Sequence, residues 1–299
     1  MANTLDEARE QDRNVIVQTY ARYPLMEVKA RDTRLVDDQG RKYVDFLSGI
    51  SVCNLGHSHP EVVEAIKEQA DKLIHVSNLF YQSEQLDLAR ALTATCELDK
   101  VFFCNSGAEA NESAFKLARR FMRQVRGREA YEIVTLQGSF HGRTLATLTA
   151  TGQGKVQEGF EPLPQGFLQV PPEDLSALRE VVSERTAAVM LEVVQGEGGV
   201  RPLSREYLLG AQEICREKGV LFMVDEVQTG LGRTGAMWAH QHHGLSPDVI
   251  TVAKGLGNGL PVGAMLASSH AGQGFDPGSH AATFGGNPLV CRAGSKVLE

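Results

Sequence analysis

Asp225 and Lys254 are the two residues around which chemistry could be built. Each follows a short apolar run, Val220–Val224 before the aspartate and Val249–Val252 shortly before the lysine. Runs of that length and composition predict buried β-strands. In open α/β sheets, ligands meet the protein where parallel strands end. A carboxylate and an amine delivered to that edge, with glycines around them, suggest a buried site. The lysine stands in AKGLGNGLP, among glycines that permit close packing, a setting in which an amine can form a Schiff base. A structural ion pair would place the same two side chains in the same way, so the surrounding elements must decide.

Three further stretches put polar residues after a strand. In KVFFCNSGAEANES, a strand over Val101–Cys104 turns at Ser106-Gly107-Ala108 into a long helix from about Glu109. Free backbone N–H groups at such a helix start form an anion site, which Gly107 lets a phosphate approach. No Walker spacing is present, and an ordinary strand-to-helix turn with a serine cap is the plainer alternative. In YEIVTLQGSFHGRT, a strand over Ile133–Leu136 leads to Phe140, His141 and Arg143. An aromatic and an arginine there suit a planar ring to stack on and a carboxylate to clamp, unless they are a core phenylalanine and a surface arginine. In AAVMLEVVQGEGGV, a strand over 188–194 has Glu192 and Glu197 at or beyond its end. These strands alternate with helices, which predicts an α/β fold with a mostly parallel sheet flanked by helices.

The remaining chain supplies context. With 299 residues and 42% hydrophobic content, the chain can bury a large core. Its net charge of −7 disfavours nucleic acid or anionic membrane as partner, and no run approaches the ~18 apolar residues of a membrane span. The start, MANTLDEARE, is acidic and polar rather than a signal peptide, and five scattered cysteines lack any C-x-x-C spacing. A cytoplasmic enzyme fits these features. A polar helix is expected over 4–22, then short antiparallel strands in EVKARDTRLVDDQGRKYVDF turning at Asp38-Gln39-Gly40. Helices are expected from Pro60 and from Ser83, the latter as N-cap, and His57 and His59 read as loop or capping residues rather than metal ligands. Residues 152–172 read as a long surface connection, and 175–182 as a helix. Asn287 and Pro288 open a last helical stripe through Leu289, Val290, Ala293 and Val297, which calls for a partner surface.

A phosphate cradle, a stacking aromatic, a carboxylate, a lysine and a carboxylate-binding arginine together describe pyridoxal phosphate. Lys254 would bind its aldehyde as an imine, and Asp225 would keep the pyridine nitrogen protonated. Once displaced by an incoming amine, Lys254 could move a proton between substrate and cofactor carbons. A nicotinamide dehydrogenase needs G-x-G-x-x-G after its first strand, and GLGNGLP fails that spacing. A non-catalytic scaffold has no need of a lysine among glycines at a strand end.

VDEVQTGLGRTG and VITVAKGLGNGLPVGAML closely resemble the class III aminotransferases, above all those acting on acetylornithine, and NSGAEANESAFKLAR, GSFHGRT, EVVQGEGGV and TFGGNP match in the same order. The resemblance implies the aspartate-aminotransferase-like fold type I of pyridoxal-phosphate enzymes. It assigns residues 1–55 to a second, smaller domain, 56–285 to the cofactor-binding domain, and 286–299 to the start of a helix leading to a C-terminal domain, so that the chain reads as a fragment. By the same resemblance Lys254 is the Schiff-base lysine, Asp225 contacts the pyridine nitrogen, Gln228 lies near the ring hydroxyl and Phe140 stacks on the ring. Ser106, Gly107 and Ala108 hold the phosphate, helped by Thr283 from the other subunit of a homodimer with shared sites. Arg143 resembles the clamp for the substrate α-carboxylate, and Glu197 a glutamate that pairs with an arginine of the C-terminal domain. Ala282 stands where many relatives place a serine close to the substrate. The implied reaction moves the terminal amine of N2-acetylornithine to 2-oxoglutarate, in arginine biosynthesis. Ornithine, 4-aminobutyrate and succinyl-diaminopimelate are alternative donors, and a catalytically silent cofactor-binding relative is the alternative outside enzymes.

Overall fold

The computed structural model describes residues 4–299. Helix α1 (Leu5–Val15) starts at Thr4, whose hydroxyl accepts from the Glu7 N–H at 3.3 Å, and none of its residues is buried. It ends seven residues before the expected limit. The β-branched run Val15-Ile16-Val17 disfavours helix, and Ile16 is already extended. Strands β1 (Glu27–Arg31), β2 (Arg34–Asp37) and β3 (Lys42–Val44) then form a separate antiparallel sheet. The buried Asp37 carboxylate pins its turn by accepting from the N–H groups of Gln39 and Arg41, the Arg41 guanidinium and the Tyr43 hydroxyl.

Helix α2 (Pro60–Lys72) has proline in its first turn as expected. Helix α3 (Ser83–Thr93) is capped one residue earlier than expected: Gln82 is the cap, and the Ser83 hydroxyl donates to Glu84 instead. The main sheet is built from β4 (Lys100–Cys104), β5 (Glu132–Leu136), β6 (Phe167–Val170), β7 (Thr186–Leu191), β8 (Leu221–Asp225), β9 (Val249–Val252) and β10 (Gly263–Ala267). Its spatial order is β4-β10-β9-β8-β7-β5-β6. Only β10 runs antiparallel to its neighbours, β9 and β4; the other adjacent pairs are parallel. Every residue of β5, β7, β8, β9 and β10 is buried, which requires cover on both faces.

Helices α4 (Gly107–Gln124), α5 (Leu145–Ala150), α6 (Leu175–Val181) and α7 (Arg205–Lys218) supply much of that cover. In α4 the buried residues Ala110, Ala114, Phe115, Leu117, Ala118, Phe121 and Met122 recur at helical spacing and pack toward β9 and β10. Fully burying one such phenylalanine is worth about 1.5–3 kcal/mol. Ser204 caps α7, and Gly219 ends it in the left-handed conformation at φ 63°.

Three further expectations differ from the structure. The stretch 152–172 contains β6, paired with β5 as an edge strand; its middle residues, Leu168 and Gln169, are exposed, so no clean apolar run announces it. The strand expected over 188–194 ends at Leu191, which leaves Glu192 just beyond it. The last helix, α8 (Pro288–Leu298), capped by Asn287, buries Val290, Cys291 and Ala293 and packs on α2 and α3. Part of the stripe expected to call for another surface therefore has one within the chain.

Candidate active site

The C-terminal ends of β4, β5, β7, β8 and β9 open onto one cavity of ≈370 Å³, within the range of small-molecule sites. Asp225, Gln228, Lys254, Phe140, Glu197, Ser106, Gly107 and Ala108 all line it. Arg143, Ala282 and Thr283 are outside this lining. The Arg143 guanidinium lies 5.4 Å from the centre of the Phe140 ring, and the residue is otherwise exposed. Ala282 offers its carbonyl to the Asn78 amide at 3.0 Å, and Thr283 is exposed.

Ser106 is the N-cap of α4. Its hydroxyl accepts from the Glu109 N–H at 3.2 Å and donates to the Glu109 carboxylate at 3.0 Å, so this cap occupies it. Gly107 and Ala108 fall in the first turn, where no helical carbonyl reaches their N–H groups. A Cβ on Gly107 would lie 2.7 Å from Val227 Cγ1, which is why glycine stands there.

Asp225 is 4% exposed and closes a buried network. One oxygen accepts from His141 Nδ1 and from Asn111 Nδ2, each at 2.8 Å, while the other accepts from the Val227 N–H at 3.0 Å. Asn111 also donates to the His141 carbonyl at 2.8 Å and accepts from the Thr251 hydroxyl at 2.7 Å. Burial pulls the His141 imidazole down, but its bond to Asp225 and the Asp225 and Glu192 charges outweigh that, and its pKa is raised. Glu192 sits one residue beyond β7, beside Asp225 on the neighbouring strand, and accepts from the Phe140 N–H at 3.0 Å. Burial and the Asp225 charge push its carboxyl up, against the opposing pull of His141 and Lys254. Burial lowers the Lys254 amine, and the Asp225, Glu197 and Glu192 charges offset part of that. A lysine with a lowered pKa is the better nucleophile toward a carbonyl.

Gln228 donates to Glu197 at 3.0 Å, and a Cβ on Gly196 would fall 1.6 Å from Gln228 Oε1. That glycine makes room for the glutamine. Nothing in the local sequence assigns a role to Asn111, Thr251 or Val227, or to His141 and Glu192 beyond their place after a strand. Asn111 left a signal: it is a polar residue within the apolar stripe of α4.

The set fits pyridoxal phosphate. Gly107 leaves free N–H groups for a phosphate, Phe140 offers a ring face, Asp225 a buried carboxylate, and Lys254 an amine of lowered pKa. Among the described residues no group of three or more His, Cys, Asp or Glu could hold a metal ion.

The family model for class-III aminotransferases matches residues 16–299. The acetylornithine aminotransferase of Caldanaerobacter subterraneus subsp. tengcongensis is 51% identical over 288 residues, 96% of this chain and 73% of that protein. The corresponding protein of Methanocaldococcus jannaschii is 48% identical over 95% of this chain and 71% of its own length. Among solved structures, the ornithine aminotransferase of Toxoplasma gondii superposes with a TM-score of 0.95 at 34% identity, covering 99% of this chain and 71% of that one. The acetylornithine aminotransferase of Elizabethkingia anophelis gives 0.86 at 36% identity, over 98% and 72%. The chain belongs to the class-III aminotransferases, a family of pyridoxal-phosphate-dependent transaminases with this fold.

Proposed function

We propose that the amino donor is N2-acetylornithine, whose terminal amine is passed to 2-oxoglutarate to give N-acetylglutamate 5-semialdehyde and glutamate. The observation that carries this choice is the identity of about half to acetylornithine aminotransferases over nearly the whole chain.

When bound, pyridoxal phosphate supplies an aldehyde to hold the amine and a ring to take up electrons from the substrate carbon. The residues of this chain do the rest. Lys254 would hold the cofactor through its amine and, once free, would serve as the base of the site. Asp225 would keep a proton on the ring nitrogen, and His141, Asn111 and the Val227 N–H keep that carboxylate oriented. Gln228 would lie near the ring hydroxyl, Phe140 would cover a ring face, and the N–H groups of Gly107 and Ala108 would bind the phosphate. Arg143 grips the α-carboxylate with its planar fork, and Glu197, held by Gln228, borders the substrate side.

The working unit in this reading is a cytoplasmic homodimer that shares its sites. Leu79, Phe80 and Tyr81 are exposed by 88%, 62% and 100%, and Phe284 by 62%. Asn78 ties that segment to the loop of Thr283 by donating to the Ala282 and Gly285 carbonyls. One apolar face thus carries Thr283, which supports its contribution to the partner's phosphate. Residues 1–55, with their separate antiparallel sheet, belong to a smaller domain in the same reading. Among the described residues no helix is long and apolar enough to cross a membrane.

A donor screen tests the substrate: acetylornithine, ornithine, 4-aminobutyrate and succinyl-diaminopimelate, each followed by conversion of the cofactor to its amine form. Acetylornithine should give the highest kcat/KM. Ornithine exceeding it would move the assignment to the ornithine branch.

A further inference from the structure

Lys254 has a backbone φ of +43°, and Asn258, four residues on, has +44°. Left-handed backbone is unfavourable for a lysine and persists where the surroundings fix it. Asparagine tolerates that region better than most residues. The turn between them is packed tightly: a Cβ on Gly255 would lie 2.4 Å from the amide nitrogen of Asn54, and one on Gly257 2.8 Å from Val262.

The fixing groups come from far away in the chain. Asn258 meets the backbone of residues 55–56 with both ends of its amide. Its oxygen accepts from the Leu55 N–H and its nitrogen donates to the Gly56 carbonyl, each at 3.1 Å. Next to it, Asn54 donates to the Leu231 carbonyl at 3.1 Å and accepts from the Arg233 guanidinium. Segment 52–56 is thereby fastened to the lysine turn on one side and to the loop after Asp225 on the other. Val52, at its start, lines the cavity.

We propose that Asn258 and Asn54 are positioning residues, which clamp segment 52–56 over the lysine turn and hold Lys254 in the left-handed conformation that aims its amine at the cofactor. The inference rests on the assignment of Lys254 as the residue that holds pyridoxal phosphate. Neither asparagine touches the cofactor in this scheme; both act through the backbone they fix. Asn258 is suited to the task twice over, since it accepts the left-handed conformation and its amide matches an N–H and a carbonyl at once.

The substitutions separate these two properties. Asn258→Gly keeps the left-handed conformation and removes the clamp, Asn258→Ala loses both, Asn258→Asp keeps the acceptor for the Leu55 N–H, and Asn54→Ala removes the bonds to Leu231 and Arg233. Each full-length variant is loaded with pyridoxal phosphate, reduced with borohydride, and the fraction attached at residue 254 is read by mass spectrometry against time. Hydrogen exchange of the Leu55 amide is followed in parallel. Asn258→Gly should slow covalent capture about tenfold, since an error of ~1 Å in placing a reacting group costs up to about a hundredfold. Asn54→Ala should slow it in the same direction, and Asn258→Asp less than glycine. The Leu55 amide should lose protection in Asn258→Gly, while amides of β8 and β9 keep theirs.

Wild-type capture in Asn258→Gly, with the Leu55 amide released, would overturn the proposal, because the clamp would then be broken without consequence. Capture impaired in Asn258→Ala but normal in Asn258→Gly would overturn it too, leaving only the backbone preference at position 258. A Lys254→Ala control distinguishes failure of the underlying assignment: cofactor captured elsewhere in that variant at the wild-type rate would remove Lys254 itself.

Discussion

Replacing Asp225 by Asn changes one atom, and the network around it states the cost. One carboxylate oxygen takes two donors, His141 Nδ1 and Asn111 Nδ2, and the other takes the Val227 N–H. An amide has one oxygen and one NH₂. If the NH₂ faces Asn111, two donors oppose each other; if it is flipped, it opposes the Val227 N–H. His141 can adapt by changing tautomer, but Asn111 and the Val227 N–H cannot. One buried donor is left without an acceptor in either orientation, at about 1–3 kcal/mol. Urea unfolding of the cofactor-free protein should therefore show Asp225→Asn less stable by about 2 kcal/mol. Loaded with cofactor, the variant should lose well over tenfold in turnover, or ~1.4 kcal/mol of barrier, because a neutral amide holds no proton on the ring nitrogen. Unchanged stability would refute the network argument. A loss smaller than about tenfold would refute Asp225 as the ring's partner.

Two further outcomes follow from the site. Arg143→Lys keeps the charge and the reach but loses the planar fork, so KM for donors with an α-carboxylate should rise about tenfold while KM for amines without one stays put; equal KM changes for both would exclude the clamp. Glu192 titrates higher in the folded protein than its ordinary 4.5, at about 7. Its contribution to stability is therefore complete below about 4.5 and lost as pH rises through about 7. Glu192→Gln should flatten the pH dependence of apo-protein unfolding across that window, and an unaltered slope would place the titration elsewhere.

The sheet and the cavity residues were legible for different reasons. Strands β8 and β9 are compact apolar runs, and each ends next to a charge that has no business in a core, so Asp225 and Lys254 stood out. Edge strand β6 did not, because a strand with one neighbour buries too little to show a pattern. Hydrogen-bond partners were the hardest to read. His141 and Asn111 reach Asp225 across 84 and 114 residues of chain, and no local spacing encodes such a contact. Asn54 and Asn258 belong to the same class, separated from their partners by 177 and 203 residues.

The strand most easily overlooked, β10, explains why the lysine and the phosphate turn share one cavity. Between the end of β9 at Val252 and the start of β10 at Gly263 lie only residues 253–262. A parallel return needs a crossover of about a dozen residues or more, usually with a helix. Ten residues, most of them spent on the lysine turn, leave only an antiparallel return. That return carries the chain back at the edge where the other strands end and slots it between β9 and β4. Gly263 then lies against the turn after β4, where a Cβ would come within 2.5 Å of the Ser106 carbonyl oxygen. The glycine allows the two turns to meet, and Pro261 and Val262 before it become part of the cavity wall. The shortness of AKGLGNGLPV thus does structural work that its composition alone does not reveal: it folds the amine back beside the N-terminus of α4, whose first N–H groups have no helical acceptor.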